Sequence, residues 1–263
     1  MDLGLTNRVA LVCGASRGLG LAVAVSLARE GASLVIAARD ERALDEAAAH
    51  VVRETEADVK PVPTDLSRPE EIRALAEAAF RAFGRVEILV NNAGGPPPGE
   101  FLDFKDRDWE AAFRLNLMSA VMLTREVVPD MKTRRWGRVL NLTSIAVKQP
   151  IDGLMLSNSI RAGVHGWAKS LAVELAPWNI TVNNVMPGYT LTDRVGGLAK
   201  ALAQKEGLEP SDIIARWEAA VPMKRLGRPQ DLGDLVAYLA SEQAGYITGA
   251  SIPIDGGYDR GLL

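Results

Sequence analysis

Seven residues near the amino terminus carry the clearest chemistry in this chain. They read Gly14-Ala15-Ser16-Arg17-Gly18-Leu19-Gly20, and their three glycines let backbone turn tightly and approach a diphosphate. Such a loop binds an anion when it leads from a buried strand into a helix, because free N–H groups and the helix dipole then point at the phosphates. Arg39 and Arg17 are the next residues of interest. Arg39 ends the second apolar run, where an acidic residue would take the ribose hydroxyls of NAD(H) and a basic residue would take the 2′-phosphate of NADP(H). Arg17 approaches the same ribose from the glycine loop, and two guanidiniums suit a dianionic phosphate, so NADP(H) is favoured over NAD(H). Asp40 is the nearest acid, one position beyond Arg39.

These residues need a scaffold of alternating elements, and the chain supplies one. Arg8–Cys13 is an apolar run suited to a strand buried on both faces, and Leu19, Val23, Leu27 and Ala28 follow at helical spacing up to Gly31. The spacing then predicts a strand over Ser33–Ala38, a helix over Asp40–Thr55, a strand over Val59–Thr64 and a helix from Pro69. Further strands are predicted at 86–90, 139–142 and 181–185, with helices from Asp106 and over Ser157–Ala176. This alternation implies an α/β fold: a single-domain, Rossmann-like, doubly wound parallel sheet with helices on both faces, spanning residues 1–263. Gly95-Pro96-Pro97-Pro98-Gly99 is loop-like but too short and too central to divide domains.

Composition excludes other chemistries. Of 263 residues, 48% are apolar and 24% charged, which suits one domain with a sizeable core. With 30 basic and 33 acidic residues interleaved, and a net charge of -3, there is no electrostatic footprint for nucleic acid or an anionic membrane. Two histidines, His50 and His165, and the lone Cys13 leave almost no material for a metal site or a Ser/His/Asp triad, so no metal is expected. No apolar stretch approaches the roughly 20 residues of a membrane span. The first residues lack the pattern of a secretion signal, so a cytoplasmic protein acting on a small molecule is expected.

Seven ordered motifs resemble the short-chain dehydrogenase/reductase family, in the subfamily that includes the 3-oxoacyl-acyl-carrier-protein reductases. They are Gly14 to Gly20; Asp65-Leu66; Asn91-Asn92-Ala93-Gly94; Asn116; Ser144; Pro187-Gly188 with Thr192; and Tyr246-Ile247-Thr248-Gly249 with Asp255-Gly256-Gly257. The resemblance covers the whole chain. It implies that Asp65 and Leu66 lie near the adenine, that Asn92, Ala93 and Gly94 line the adenosine side, and that Pro187, Gly188, Thr190 and Thr192 hold the nicotinamide carboxamide. It also implies a substrate lid from Arg194 to Met223, with Leu198, Leu202, Ile213, Ile214, Trp217 and Val221 as a possible apolar wall, and a homotetramer paired through the last strand. Cys13 stands where the family commonly has threonine, which removes a hydroxyl and leaves a thiol packed as a small hydrophobe.

Members of the family reduce a carbonyl with Asn, Ser, Tyr and Lys: the serine polarises the carbonyl, the tyrosine transfers the proton, and the lysine binds the ribose and lowers the tyrosine pKa. The resemblance puts Asn116 and Ser144 in the first two roles. The tyrosine position, 13 residues after the serine, holds Ser157, and the lysine position one helical turn later holds Arg161. None of the four tyrosines precedes a lysine by four, so the pair is replaced and not displaced. Bringing a phenol from its reference value near 10 to neutrality takes about three units, or roughly 4 kcal/mol. A serine hydroxyl is far out of that range, and Arg161 keeps a positive charge but cannot relay protons. Three readings follow. The chain is a reductase with a rebuilt proton path, for which Tyr189 and Lys148 are candidate donors, or an NADP(H)-binding sensor or oligomer subunit without efficient turnover. The third, a non-redox enzyme such as a lyase or dehalogenase, sits poorly with an intact glycine loop. Gln149 and Lys148 add polarity beside the expected pocket; Tyr189 reads more readily as a packed rim aromatic and Lys148 as a solvated loop charge.

Overall fold

The structure is a computed structural model that describes residues 2–262. Its elements alternate as predicted. β1 (Val9–Cys13), α1 (Gly18–Arg29), β2 (Ser33–Ala38), α2 (Glu41–Thr55), β3 (Val59–Pro63) and α3 (Pro69–Phe83) form the first half. β4 (Ile88–Asn91), α4 (Asp106–Phe113), α5 (Ser119–Arg134), β5 (Gly137–Leu142), α6 (Met155–Leu175) and β6 (Ile180–Pro187) follow. α7 (Asp193–Glu206), α8 (Pro210–Ala220), α9 (Pro229–Ala240) and β7 (Ser251–Ile254) complete the described chain.

The seven strands form one parallel sheet in the order β3-β2-β1-β4-β5-β6-β7. Its direction of winding reverses between β1 and β4, and ligands of such sheets bind beyond the strand C-termini at that switch point. Every residue of β1 and β5 is buried, because helices cover both faces. Ala10 and Val12 face one core with α1, α2 and α9, whereas Leu11 and Cys13 face the other with α3, α5 and α6. Burial pushes the Cys13 thiol up to about 12, so it packs as an uncharged hydrophobe.

Two departures from the predicted elements matter for the site. The helix expected from Asp106 is interrupted by a π-helical turn, Arg114–Met118, which carries Asn116 between α4 and α5. The strand predicted over 86–90 runs instead over Ile88–Asn91, although Val86 and Glu87 are buried. The shift brings Asn91 into register with Asn141 of β5. The lid segment forms α7 and α8, which close their own small core of Ala199, Ala203 and Ile213.

Candidate active site

The glycine loop has the geometry that its sequence predicts. Gly14 has φ +60, and a side chain there would press on Asn92; a Cβ on Gly20 would collide with the carbonyl of Gly14. The Asn92 amide closes the turn by donating to the carbonyls of Cys13 (3.2 Å) and Gly14 (3.3 Å). α1 has no side-chain cap and no acid in its first turn, in contrast to α2, whose Asp40 caps Ala43. Its first N–H groups are therefore free to face an anion. Ser16 lies half-buried in this loop and Leu19 packs onto the α1 side of the core.

Beyond the C-termini of β2 and β3, a cleft of about 370 Å³ is bounded by Arg39, Asp65, Ser67, Arg107, Glu110, Ala111, Arg114 and Leu115. Burial works against ionisation of Asp65, but hydrogen bonds from Ser67 and the charges of Arg39 and Arg68 hold its carboxyl below the usual range. Arg17 is elsewhere: its side chain is 78% exposed and its guanidinium stands 3.9 Å from Asp193. The structure thus brings Arg39 together with Arg107 and Arg114, and leaves Arg17 on the α7 side. Arg107 and Arg114 were hidden in the sequence because they read only as turns of a surface helix.

Beyond the C-termini of β4 and β5 stand the expected reacting residues. Ser144 is half-buried and its Oγ accepts from the amide of Ala146 at 3.1 Å, which fixes the loop after β5. Ser157, 6% exposed, lies one helical turn before Arg161 on α6. Arg161 Nη1 donates to the carbonyls of Leu142 (2.9 Å) and Thr143 (3.1 Å), and Nη2 to that of Ala93 (3.3 Å). It ties β5 to the loop after β4. Asn116 donates to the carbonyl of Gly94 at 2.9 Å, and Arg194 donates to those of Gly95 and Pro96, both at 3.2 Å. Four consecutive carbonyls, residues 93 to 96, are thus held by Arg161, Asn116 and Arg194. Burial, and then the charge of Arg194, push the Arg161 guanidinium down to about 10; burial also lowers Arg194. Asn116 Oδ1 is buried without a partner, and Asn116 borders a small cavity of about 20 Å³ with Leu66, Asn92, Ala93, Thr143 and Arg161.

A buried polar ladder supports this end of the sheet. Asn91 donates to Asn141 (2.9 Å), Asn141 to Asn184 (3.0 Å) and Asn184 to Ser251 (3.1 Å), one residue from each of four neighbouring strands. His165 ends the ladder between Ser251 (3.0 Å) and Thr143 (2.8 Å), and burial with the charges of Arg161 and Lys148 lowers it to about 4.

The residues expected on the nicotinamide side follow β6. Pro187 is its last residue, Gly188 donates to Ile254 at 3.0 Å, Thr190 is buried, and Thr192 caps α7 by accepting from Val195. Tyr189 stacks on Trp217, with ring centroids 4.8 Å apart, and meets Tyr258 edge-on at 5.4 Å. Burial first, then Tyr258 and Asp152, raise its phenol above the ordinary value. Lys148 is not a freely solvated charge: its Nζ lies 3.7 Å from Asp259, whose side chain is 8% exposed. Among the described residues no helix is long and apolar enough to cross a membrane.

Comparison with known proteins agrees with this geometry. A family model described as enoyl-(acyl carrier protein) reductase matches residues 14–259. Nodulation protein G of Azospirillum brasilense is 37% identical over 255 residues, 96% of this chain and 98% of that protein. The 3-oxoacyl-[acyl-carrier-protein] reductase FabG of Aquifex aeolicus is 32% identical over 257 residues, 98% of this chain and 99% of that protein. Among solved structures, L-sorbose reductase of Gluconobacter frateurii, complexed with NADPH and L-sorbose, superposes with a TM-score of 0.95 at 34% identity, covering 100% of both chains. An uncapped helix behind a glycine loop, a seven-stranded parallel sheet reversing at β1/β4, and full-length likeness to these reductases show that the chain belongs to the short-chain dehydrogenase/reductase family, the NAD(P)-dependent oxidoreductases of carbonyl and alcohol substrates.

Proposed function

We propose that this protein is an NADP(H)-dependent oxidoreductase of a carbonyl or alcohol substrate, working with Ser157 and Arg161 where the family has its tyrosine and lysine. The residues present fit the dinucleotide: the glycine cradle excludes side chains at Gly14 and Gly20, α1 leaves its first N–H groups free, and Arg39, Arg107 and Arg114 converge on the adenosine cleft. The NADPH held by the sorbose reductase supports the same choice of cofactor. When bound, the dinucleotide supplies or accepts the hydride.

The rest falls to the chain. Ser144 donates to the substrate oxygen and polarises it, Asn116 and Arg161 hold the loop that faces the ribose, and Thr190 and Thr192 orient the carboxamide. Arg161 lends positive charge beside Ser144 but carries no transferable proton, because a guanidinium stays protonated. The proton therefore comes from water or a side chain other than Tyr189. The single observation that supports this reading is the tie from Arg161 to the carbonyls of Leu142 and Thr143, the two residues that precede Ser144 in the chain. The serine at the tyrosine position, Ser157, favours a second reading, tight NADP(H) binding without efficient turnover. A homotetramer, read from the family, is checked by light scattering, and a monomer at working concentration rejects it.

NADPH oxidation against ketones, diketones and 3-oxoacyl thioesters, by the parent, Ser144→Ala and the Ser157→Tyr, Arg161→Lys double variant, separates the readings. Turnover by the parent that Ser144→Ala abolishes supports the oxidoreductase. NADPH binding with no parental turnover, and a double variant that gains it, supports the second reading.

A further inference from the structure

The asparagine ladder passes its hydrogen bonds in one direction. Asn91 Nδ2 donates to Thr124 (3.1 Å) and to Asn141, which places both of its protons; Asn141 then donates to Asn184, and Asn184 to the hydroxyl of Ser251. Having accepted from Asn184, Ser251 Oγ has one proton to give, and its other partner among the described residues is Nδ1 of His165 at 3.0 Å. The opposite ring nitrogen stands 2.8 Å from Thr143 Oγ1, whose own acceptor is the carbonyl of Val185 at 3.3 Å. Each hydroxyl carries a single proton, so every donor is used when Ser251 donates to Nδ1, Nε2–H donates to Thr143, and Thr143 donates to Val185. One tautomer of a neutral imidazole meets both demands, and the ring is neutral near pH 7 because its pKa lies at about 4.

Thr143 is held at every polar group it has. Its N–H donates to the carbonyl of Val185 at 2.9 Å, its carbonyl accepts from Arg161 at 3.1 Å, and its hydroxyl accepts from His165. Arg161 and His165 lie one helical turn apart on α6, so successive turns of one helix grip the residue before Ser144. The hydroxyl of Ser144 has no such grip of its own: among the described residues its partner is the amide of Ala146, within the same loop.

We propose that His165, in its Nε2–H tautomer, is a positioning residue that fixes the hydroxyl of Ser144 through Thr143. The tautomer rests on the hydrogen bonds alone; the effect on turnover rests on the oxidoreductase reading, in which that hydroxyl polarises the substrate oxygen.

NMR of the imidazole nitrogens in the parent near neutral pH reads the tautomer, with His165→Gln separating the His165 signals from those of His50. A protonated Nε2 and a bare Nδ1 are expected; a protonated Nδ1, or rapid exchange between the two forms, overturns the proposal. Deuterium exchange at the Ala146 amide reports whether Ser144 stays in place, because that N–H is held by its hydroxyl. His165→Leu and Thr143→Val are expected to speed this exchange about 10-fold or more while the amides of β1 keep their protection. Thr143→Ser, which restores the hydroxyl, should return it to near the parental rate. Unchanged exchange at Ala146, or faster exchange spread over β1 as well, is the contrary result. On a carbonyl substrate that the parent reduces, kcat should fall about 10- to 100-fold in His165→Leu and Thr143→Val, with KM and NADPH affinity within about twofold, as for a slightly misplaced reacting group. Thr143→Ser should recover most of that loss. Losses confined to KM, or none, overturn the proposal and leave the oxidoreductase reading intact. Absence of parental turnover sinks that reading instead, and the tautomer and exchange measurements then decide this one.

Discussion

His165 shares a hydrogen bond of 2.8 Å with the hydroxyl of Thr143, the residue that precedes Ser144 in the loop after β5. Its other ring nitrogen meets Ser251 on β7, so the imidazole links the reacting loop to the edge strand and closes the asparagine ladder. Position, not proton transfer, is what such a link supplies: with its pKa at about 4, His165 is neutral across the physiological range.

The same shift sets an acid limit on stability. The unfolded chain takes up a proton at His165 near pH 6.5, whereas the folded chain resists until about pH 4. Stability from this group is complete above pH 6.5 and falls as the pH drops from there toward 4. Thermal melts between pH 7.5 and 4.5 should show the parent losing more Tm than His165→Gln, which has no ring to charge. Parallel slopes for the two proteins would remove His165 from the acid response.

Arg138 offers the opposite separation, stability without function. It sits at the start of β5, away from the site, and donates to the carbonyls of Ser241 (3.1 Å), Gly137 (2.9 Å) and Asn179 (3.3 Å). Its guanidinium and that of Arg8 both lie over the Trp136 ring, at 4.2 and 3.8 Å, and Glu242 accepts from Arg8 and Trp136. Arg138→Met strips buried carbonyls of a donor, which costs about 1–3 kcal/mol. Denaturation should register that loss while NADPH affinity stays put. A weakened Kd for NADPH at unchanged stability is the contrary result.

The cofactor assignment distributes unequally over the basic residues. Arg39 lines one cleft with Arg107 and Arg114, and Arg17 is exposed beside Asp193. Replacing Arg39 by Ser should weaken NADPH by about 10- to 100-fold and leave NADH nearly unchanged, the loss expected for a charged hydrogen bond to a phosphate. Arg17→Ser should cost less and lose its effect in high salt, as exposed charges do. Fluorescence titrations with both dinucleotides decide this, and tighter NADH than NADPH binding by the parent would end the NADP(H) assignment.

The strands were legible because runs buried on both faces leave continuous apolar stretches, and β2 matches its predicted span residue for residue. The glycine loop was legible because steric exclusion is local: the need for glycine at positions 14 and 20 is visible in seven residues. The other parts of the site depend on register and side-chain reach. Asn91, Asn141 and Asn184 lie far apart in sequence and become a ladder only when three strands align. Arg114 reaches the cleft lined by Arg39 where a π-turn interrupts a helix that looked regular in sequence. Arg194 was read as the start of a lid, and its bonds to Gly95 and Pro96 needed the fold to bring 98 to 99 residues of separation together.

Tyr189 was the nearest tyrosine downstream of the expected position, and its surroundings decide what removing its hydroxyl does. The ring stacks on Trp217 and meets Tyr258, and burial raises the phenol away from neutrality, so it neither donates readily nor stands free to move. If the hydroxyl were the proton source, Tyr189→Phe would cost the factor of about 10²–10⁴ typical of a lost general acid. The packing argues instead that Tyr189→Phe keeps kcat within about twofold, with an unchanged pH profile, because the apolar wall survives. Tyr189→Ala opens that wall and should raise KM more than it lowers kcat, since the aromatic contact is made equally by bound substrate and transition state. Steady-state kinetics of the two variants on whichever carbonyl compound the parent reduces tells these apart, and a collapse of kcat in Tyr189→Phe alone would make the phenol the missing acid after all.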